Sequence, residues 1–235
     1  MLPTPSTSHV NYDQIYEPAE DSYLLLDTLS SASESTLLQT RFPLATPSPL
    51  VLEVGVGSGV VLAFVTANAK HIFGRSDILA VGTDANEYAC RAAGQTVRGA
   101  VTEHTRSGKP AGIFGDCVAG DLAISLRQQN VDVLIFNPPY VPTETLPSLS
   151  TATRDKFEQD SHLLSLSYAG GHDGMETTNR LLADLPTVLS ERGVAPEAVI
   201  AGILARPGGW KAEVVGSSGK TGGWEKLCVM RIWRP

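Results

Sequence analysis

The sequence predicts a single α/β domain with a mostly parallel sheet, and three stretches of the chain predict it. Residues 50–64 read as an apolar strand, a glycine-rich turn and an apolar helix. Residues 77–84 form a second apolar strand that ends in an acid, and residues 131–140 form another that stops at Asn-Pro-Pro-Tyr. Prolines cannot donate to a sheet ladder, so this last strand must end there. Strands alternating with helices favour a sheet covered on both faces.

Length and charge set the class of protein. The chain has 235 residues and no evident linker, so we expect one domain over residues 16–235. Residues 1–15 precede it as a flexible arm, because its first part is rich in Pro, Ser and Thr. A net charge of -7 with 42% hydrophobic residues favours a soluble enzyme over a disordered chain or an electrostatically driven nucleic-acid binder.

Three cysteines, far apart and odd in number, argue against a disulfide framework and against a zinc site. They favour a reducing compartment. No apolar run reaches membrane-spanning length, and the N-terminus lacks the pattern of a signal peptide. We therefore expect a cytoplasmic protein, with the nucleus as a further location, and no metal ligands.

The glycine-rich turn after the first strand is a candidate cofactor site. Gly55, Gly57 and Gly59 let the backbone approach a ligand closely, and the following helix start offers free N–H groups. A dinucleotide fingerprint would place its third glycine at Val60, whereas an acid-x-Gly-x-Gly-x-Gly run that starts at Glu53 suits S-adenosylmethionine. The Glu53 carboxylate could meet the cofactor's amino group. A tight turn with no ligand is the alternative.

Acidic residues follow the next two strands. Asp84 could accept hydrogen bonds from ribose hydroxyls, cap the helix that starts near Asn86, or do both. A brief third strand ends at Asp116 and Cys117, where the carboxylate and the next backbone N–H could read an adenine edge. Asp116 could equally be an ordinary turn residue, and Asp121 is a rival for the same role.

The tetrad Asn137-Pro138-Pro139-Tyr140 fits the chemistry of a planar amide. A carboxamide nitrogen is a poor nucleophile, because its lone pair is delocalised into the carbonyl. The Asn137 side-chain oxygen and the Pro138 carbonyl could each accept one N–H, which would fix the amide towards a methyl donor without a strong base. Tyr140 would pack on the amide plane. A stiff turn with a satisfied asparagine is the alternative.

At this point the chain resembles a known family. The segments LEVGVGSGV, VGTDAN, GDC and FNPPYV, with the upstream YEPAEDS, are similar to the eukaryotic and archaeal branch of the HemK-type release-factor glutamine methyltransferases. The resemblance covers roughly residues 16–169. Asn-Pro-Pro-Tyr does not separate glutamine from adenine as the target, and the YEPAED stretch is what indicates the glutamine branch.

The resemblance implies a Rossmann-like class I methyltransferase fold with a C-terminal antiparallel strand pair. It implies S-adenosyl-L-methionine as cofactor and the Gly-Gly-Gln loop of a eukaryotic peptide chain release factor as substrate. It also implies a heterodimer with a small zinc-binding activator subunit, which could extend the edge at the third strand. The residues that it places at the cofactor or the reacting amide are Ser22, Glu53, Gly55, Gly57, Gly59, Asp84, Asp116, Cys117 and Asn137.

The rest of the chain gives coarser expectations. Residues 31–49 read as a connection with one helical turn, residues 141–149 as a loop, residues 152–165 as a helix, and residues 175–189 as another helix. His172 lies in a glycine-rich turn and reads as a loop residue, because the proposed chemistry needs no base. An antiparallel pair is expected from residues 210–215 and 225–233.

One expected element is missing from the pattern. After Gly193 a fifth apolar strand should follow, yet only Val194 and Ala195 precede Pro196, where a helix through Leu204 is predicted. We therefore expect a strand truncated near residues 193–196. That truncation motivates one alternative function, a catalytically impaired methyltransferase-like module. The others are an adenine N6-methyltransferase acting on DNA or RNA, which would need a basic groove, and a protein-lysine methyltransferase.

Overall fold

A computed structural model describes residues 2–148, 156–198, 210–219 and 227–234. Its nine strands are β1 Leu50–Val54, β2 Leu79–Asp84, β3 Ile113–Ala119, β4 Val131–Phe136, β5 Val141–Pro142, β6 Ala169–Gly171, β7 Leu189–Ala198, β8 Lys211–Ser217 and β9 Cys228–Trp233. Its α-helices are α1 Glu20–Leu29, α2 Ala32–Arg41, α3 Val60–Ala67, α4 Ala69–Phe73, α5 Glu87–Arg106, α6 Lys156–Tyr168 and α7 Glu176–Val188.

The described strands form one seven-stranded sheet in the order β3-β2-β1-β4-β7-β9-β8 and a separate β5-β6 pair. Strands β3, β2, β1, β4 and β7 are parallel, and β9 runs antiparallel to both β7 and β8. This confirms the mostly parallel sheet and the C-terminal antiparallel pair. The chain order reverses direction between β1 and β4, which places a crevice at their carboxyl ends.

The central strands are apolar because both of their faces are covered. Every residue of β4 is buried, and one core cluster joins it to helices α1 and α3 while a second joins it to α7. The periodicity predicted for α7 is confirmed by its buried side, which contains Leu181, Leu182, Leu185 and Val188. Among the described helices, none is long and apolar enough to cross a membrane.

The prediction of a truncated fifth strand was wrong. Strand β7 has ten residues and pairs with β4 on one side and β9 on the other. Its first half is polar, so an apolar criterion missed it: Ser190 and Arg192 bind the buried Asp132 of β4 at 2.6 Å and 2.9 Å. Pro196 does not start a helix: it lies inside β7 opposite Arg231 of β9, and the strand continues past it although the proline removes one ladder donor. Residues 199–204 lie outside the described residues.

Three other segments differ in detail from the local expectations. Residues 31–49 contain the ten-residue helix α2, which the Ser31 side chain caps by accepting from the Glu34 N–H. The predicted helix at residues 152–165 is α6, which extends to Tyr168; its first four predicted residues lie outside the described part. Within the predicted N-terminal arm, Val10 and Ile15 are buried against Ala89 of α5. The domain boundary at residue 16 stays a prediction.

Candidate active site

A cavity opens at the carboxyl ends of β1, β2 and β4, where the fold places its crevice. Five groups of residues line it: the segment before and at the start of α1, the turn after β1, the end of β2 with the start of α5, the loop after β3, and the tetrad with the elements that follow it. Of the residues predicted for the site, the cavity brings together Ser22, Glu53, Gly55, Gly57, Asp84, Asn137, Pro138, Pro139 and Tyr140.

The glycine-rich turn adopts backbone conformations that favour glycine. Gly55, Gly57 and Gly59 have φ angles of 68°, 49° and 78°. A Cβ at Gly59 would lie 2.5 Å from the Ala93 Cα, so this glycine permits the close approach of α3 to α5. A Cβ at Gly57 would meet nothing within 4 Å, because this part of the turn faces open space. Gly59 is therefore a packing residue, while Gly55 and Gly57 line the cavity.

Asp84 ties this turn to the end of β2. Its Oδ2 accepts from the Gly57 N–H at 3.0 Å, and its Oδ1 accepts from the Asn86 N–H at 2.8 Å. Burial raises the pKa of Asp84, and the two backbone hydrogen bonds oppose that rise. The cap of α5 is Asn86 itself, whose side chain accepts from the Tyr88 N–H. Asp84 thus stabilises the turn and still faces the cavity.

Glu53 is a buried carboxylate on the cavity wall with an unused acceptor. It is 3% exposed, and its Oε2 accepts no hydrogen bond from any residue in the described part of the chain. Burial raises the pKa of Glu53 well above its usual range; a hydrogen bond from the Leu62 backbone opposes this, and the nearby Asp84 adds to it. A buried acceptor left unsatisfied is costly, so this atom suits a cationic or N–H donor from a ligand.

The tetrad presents a second unused acceptor. Asn137 follows β4, and its Oδ1 is buried without a hydrogen-bond donor among the described residues. A second glycine-rich segment, residues 170–174, packs directly against the tetrad backbone. A Cβ at Gly174 would lie 2.1 Å from the Tyr140 carbonyl oxygen, and a Cβ at Gly170 would lie 2.6 Å from the Pro139 carbonyl oxygen. These glycines are therefore required for the tetrad's position. His172, by contrast, does not line the cavity.

The start of α1 binds the tetrad through Asp21. The Asp21 carboxylate is 3% exposed and accepts from the Tyr140 hydroxyl at 3.3 Å and the Tyr16 hydroxyl at 3.5 Å. It also accepts from the Ser22 N–H at 2.6 Å. The expected packing of Tyr140 on an amide plane stays a prediction, whereas its bond to Asp21 was not foreseen. Acids in the first turn of α1 were visible in the sequence, but their partner 119 positions away was not.

Asp116 and Cys117 do not reach the cavity. The third strand was expected to end at these residues, but it continues to Ala119. The exposed Asp116 instead pairs with Arg98 of α5 at 3.0 Å. The Cys117 thiol lies close to Gly82 of the neighbouring strand β2, and burial raises the pKa of this thiol.

Asp121, the rival acid, does line the cavity. Leu122 and Arg180 lie beside it there, and Arg180 forms an ion pair with it. Sequence reasoning missed Leu122 and Arg180 because neither belongs to a recognisable motif. It also missed Gln14 and Ile15, which line the same cavity from the predicted arm.

Comparison with known proteins decides the family. No family model matches the chain. The catalytic subunit mtq2 of the eRF1 methyltransferase of Schizosaccharomyces pombe is 31% identical over 245 residues, covering 100% of this chain and 96% of that protein. The methyltransferase HEMK2 of Homo sapiens is 32% identical over 194 residues, covering 81% of this chain and 75% of that protein. The chain belongs to the family of Mtq2 and HEMK2. It is a methyltransferase, as its motifs predict.

A solved structure with a similar architecture is the plantazolicin methyltransferase BpumL in complex with SAH. It aligns with a TM-score of 0.46 at 10% identity, over 91% of this chain and 84% of that one. At that level of similarity it adds nothing to the assignment, which rests on the Mtq2 and HEMK2 relatives and on the sheet itself.

The cavity fits S-adenosyl-L-methionine, the cofactor of the family. The open space at Gly57 and the orphaned Glu53 Oε2 provide room and an acceptor for an amino-acid portion. Asp84 at the end of β2 is placed as the resemblance requires for ribose hydroxyls. The residues that would hold the cofactor are thus Glu53, Gly55, Gly57 and Asp84. Its chemistry there is to supply an electrophilic methyl group on a sulfonium.

Proposed function

We propose that this Mtq2/HEMK2-family chain methylates the side-chain amide nitrogen of a glutamine, in the Gly-Gly-Gln loop of a eukaryotic peptide chain release factor. The observation that carries the proposal is the buried, unsatisfied Asn137 Oδ1 at the carboxyl end of β4. The relative mtq2 is named as an eRF1 methyltransferase subunit, which supports the choice of substrate.

Separate residues orient the substrate amide and contact the adenine. Asn137 Oδ1 and the Pro138 carbonyl accept the two N–H groups of the substrate amide and orient its nitrogen. Positioning and fixed dipoles can supply several kcal/mol of transition-state stabilisation without a general base. Asp21 holds Tyr140 against this pocket through the hydroxyl contact at 3.3 Å. At the other end, we assign the adenine contact to Asp121 rather than to Asp116, because only Asp121 lines the cavity.

Nothing observed favours the competing functions. The impaired-module hypothesis depended on a truncated fifth strand, and β7 is a full strand. The acidic carboxylates that line the cavity, Asp21, Glu53, Asp84 and Asp121, do not suit a nucleic-acid backbone.

The test is methyl transfer to a purified release factor, measured by mass spectrometry of the Gly-Gly-Gln peptide. Asn137→Ala should lower the transfer rate about 100-fold or more, because a lost positioned polar group costs 10²–10³ in rate in comparable sites. Its affinity for S-adenosyl-L-homocysteine should stay close to wild type. Asn130→Ala is the matched control, since Asn130 is exposed just before β4. Undiminished turnover by Asn137→Ala would contradict the mechanism, and transfer to duplex DNA in place of the release factor would contradict the substrate.

We propose further that the chain works as a heterodimer with a small zinc-binding activator subunit. Strand β3 is an edge of the sheet, and its Ile113 and Val118 are 57% and 48% exposed, which suits an added strand from a partner. Co-production with such a subunit should raise the yield of soluble protein and its activity. A monodisperse and fully active isolated chain would overturn the proposal.

A cytoplasmic and nuclear location is also proposed, and microscopy of the tagged chain tests it.

A further inference from the structure

One ion pair on the cavity wall has no role in the function described so far. Arg180 of α7 donates from Nη2 to Asp121 Oδ2 in the loop after β3, and both side chains line the cavity. Arg180 is the only basic side chain among the described residues that line it, where four carboxylates face inwards. Among the described residues, the hydrogen bond to the Asp121 carboxylate is at Oδ2, and none reaches the second oxygen, Oδ1.

The backbone around Asp121 is constrained on both sides. The preceding Gly120 donates its N–H to the Asp84 carbonyl at 2.8 Å, which ties the loop to the end of β2. The following Leu122 has a φ of 50°, in the left-handed region that a leucine adopts only at a cost. The Leu122 side chain packs against the core cluster that contains Leu181 of α7. The loop is thus held at a fixed place beside α7.

The ion pair itself adds little to folding. The Arg180 and Asp121 side chains are 46% and 32% exposed, and ion pairs this open to solvent contribute almost nothing measurable to stability. The main effect of the ion pair is therefore to orient the Asp121 carboxylate. A second Arg–Asp pair, Arg98 with Asp116, joins β3 to α5 away from the cavity, and it provides a natural comparison.

We propose that Arg180 is a positioning residue for the cofactor: by holding Asp121 through Oδ2, it directs Oδ1 to accept from the exocyclic amino group of the adenine. This inference rests on the proposed function, because it deepens the assignment of Asp121 to the adenine end. Arg180 also neutralises part of the negative charge at this end of the cavity, while Oδ1 stays available to the neutral amino group.

The experiment compares two ligands by isothermal titration with the full-length chain. One is S-adenosyl-L-homocysteine, and the other is its 6-oxo analogue S-inosyl-L-homocysteine, which has a carbonyl oxygen in place of the donor. A hydrogen bond to a charged group corresponds to about 10-fold or more in affinity, so wild type should prefer the first ligand by at least that factor. Arg180→Met should weaken S-adenosyl-L-homocysteine about 10-fold and reduce the preference towards one. Arg180→Lys should retain most of both.

Asp121→Asn should lose the same preference, and Arg98→Met should change neither quantity. All variants should melt within about 4 °C of wild type, because the pairs are exposed. An unchanged affinity and preference in Arg180→Met, with both lost in Asp121→Asn, would overturn the role of Arg180 alone. Loss in Arg98→Met equal to that in Arg180→Met would also overturn it. If wild type binds neither ligand, the cofactor assignment fails, and with it the proposed function.

Discussion

Glu53 gives a prediction in which affinity and stability move in opposite directions. Glu53→Gln keeps the size of the side chain and one acceptor oxygen, and it replaces the charged carboxylate by a neutral amide. Because Glu53 is 3% exposed and its Oε2 has no donor among the described residues, the ionised form is costly in the free protein. With an amino group bound, that charge becomes favourable. The variant should therefore bind the cofactor more weakly and yet unfold at a higher temperature.

The magnitudes follow from the lost interaction. A hydrogen bond between charged groups contributes about 1.5–3 kcal/mol, so Glu53→Gln should weaken S-adenosyl-L-homocysteine by about 10- to 150-fold at pH 8. Each unit by which the folded-state pKa exceeds the unfolded one corresponds to about 1.4 kcal/mol. For a chain of this size, a change of about 1.4 kcal/mol in the free energy of unfolding shifts the melting temperature by about 3 to 6 °C.

The pH dependence has a definite sign. Burial raises the pKa of Glu53, so the stability that the protonated form contributes is present at low pH and is lost as the pH rises through the raised pKa. The melting temperatures of wild type and Glu53→Gln should therefore converge at low pH and separate above it. Cofactor affinity of wild type should increase over the same interval, because binding requires the carboxylate, and that of the variant should not.

Isothermal titration and thermal melts from pH 5 to 9 measure both effects, with Glu103→Gln on the exposed face of α5 as the matched control. Equal cofactor affinity of Glu53→Gln and wild type at pH 8 would refute the assignment of Glu53 to the amino group. Parallel melting curves of the two proteins across the whole pH range would refute the argument from burial.

Two further predictions concern residues that support the site. Gly59→Ala should lower the free energy of unfolding in urea by about 2–5 kcal/mol, because residue 59 has a left-handed backbone and its Cβ would lie 2.5 Å from the Ala93 Cα. The control Gly99→Ala, whose Cβ would meet nothing within 4 Å, should raise the free energy of unfolding by about 1 kcal/mol. Equal effects of the two substitutions would contradict the steric reasoning. Asp132→Ala should lower the free energy of unfolding by about 2–4 kcal/mol, because it leaves the Arg192 guanidinium without its carboxylate partner. The same substitution should leave the affinity for S-adenosyl-L-homocysteine unchanged. A large loss of affinity there would show that the site depends on this distant contact.

The errors of sequence reasoning share a physical origin. Strand β7 was missed because Ser190 and Arg192 look unfit for a buried sheet until Asp132 is placed opposite them. The predicted end of β3 at Cys117 was wrong because the length of this strand depends on its pairing with β2, which continues to the Asp84–Ala119 pair. Both depend on partners distant in the chain, which no local pattern reveals.

The sequence by itself determined the central strands, the glycine-rich turn with Glu53, the acid at Asp84 and the proline stop after Asn137. These are local features, because backbone conformation and the missing donors of proline depend only on neighbouring residues. Only the tertiary structure decided that β7 is complete, that Asp121 rather than Asp116 faces the cavity, and that Asp21 and Arg180 hold groups of the site. Those are properties of contacts between remote segments, and such contacts exist only once the sheet has brought the segments together.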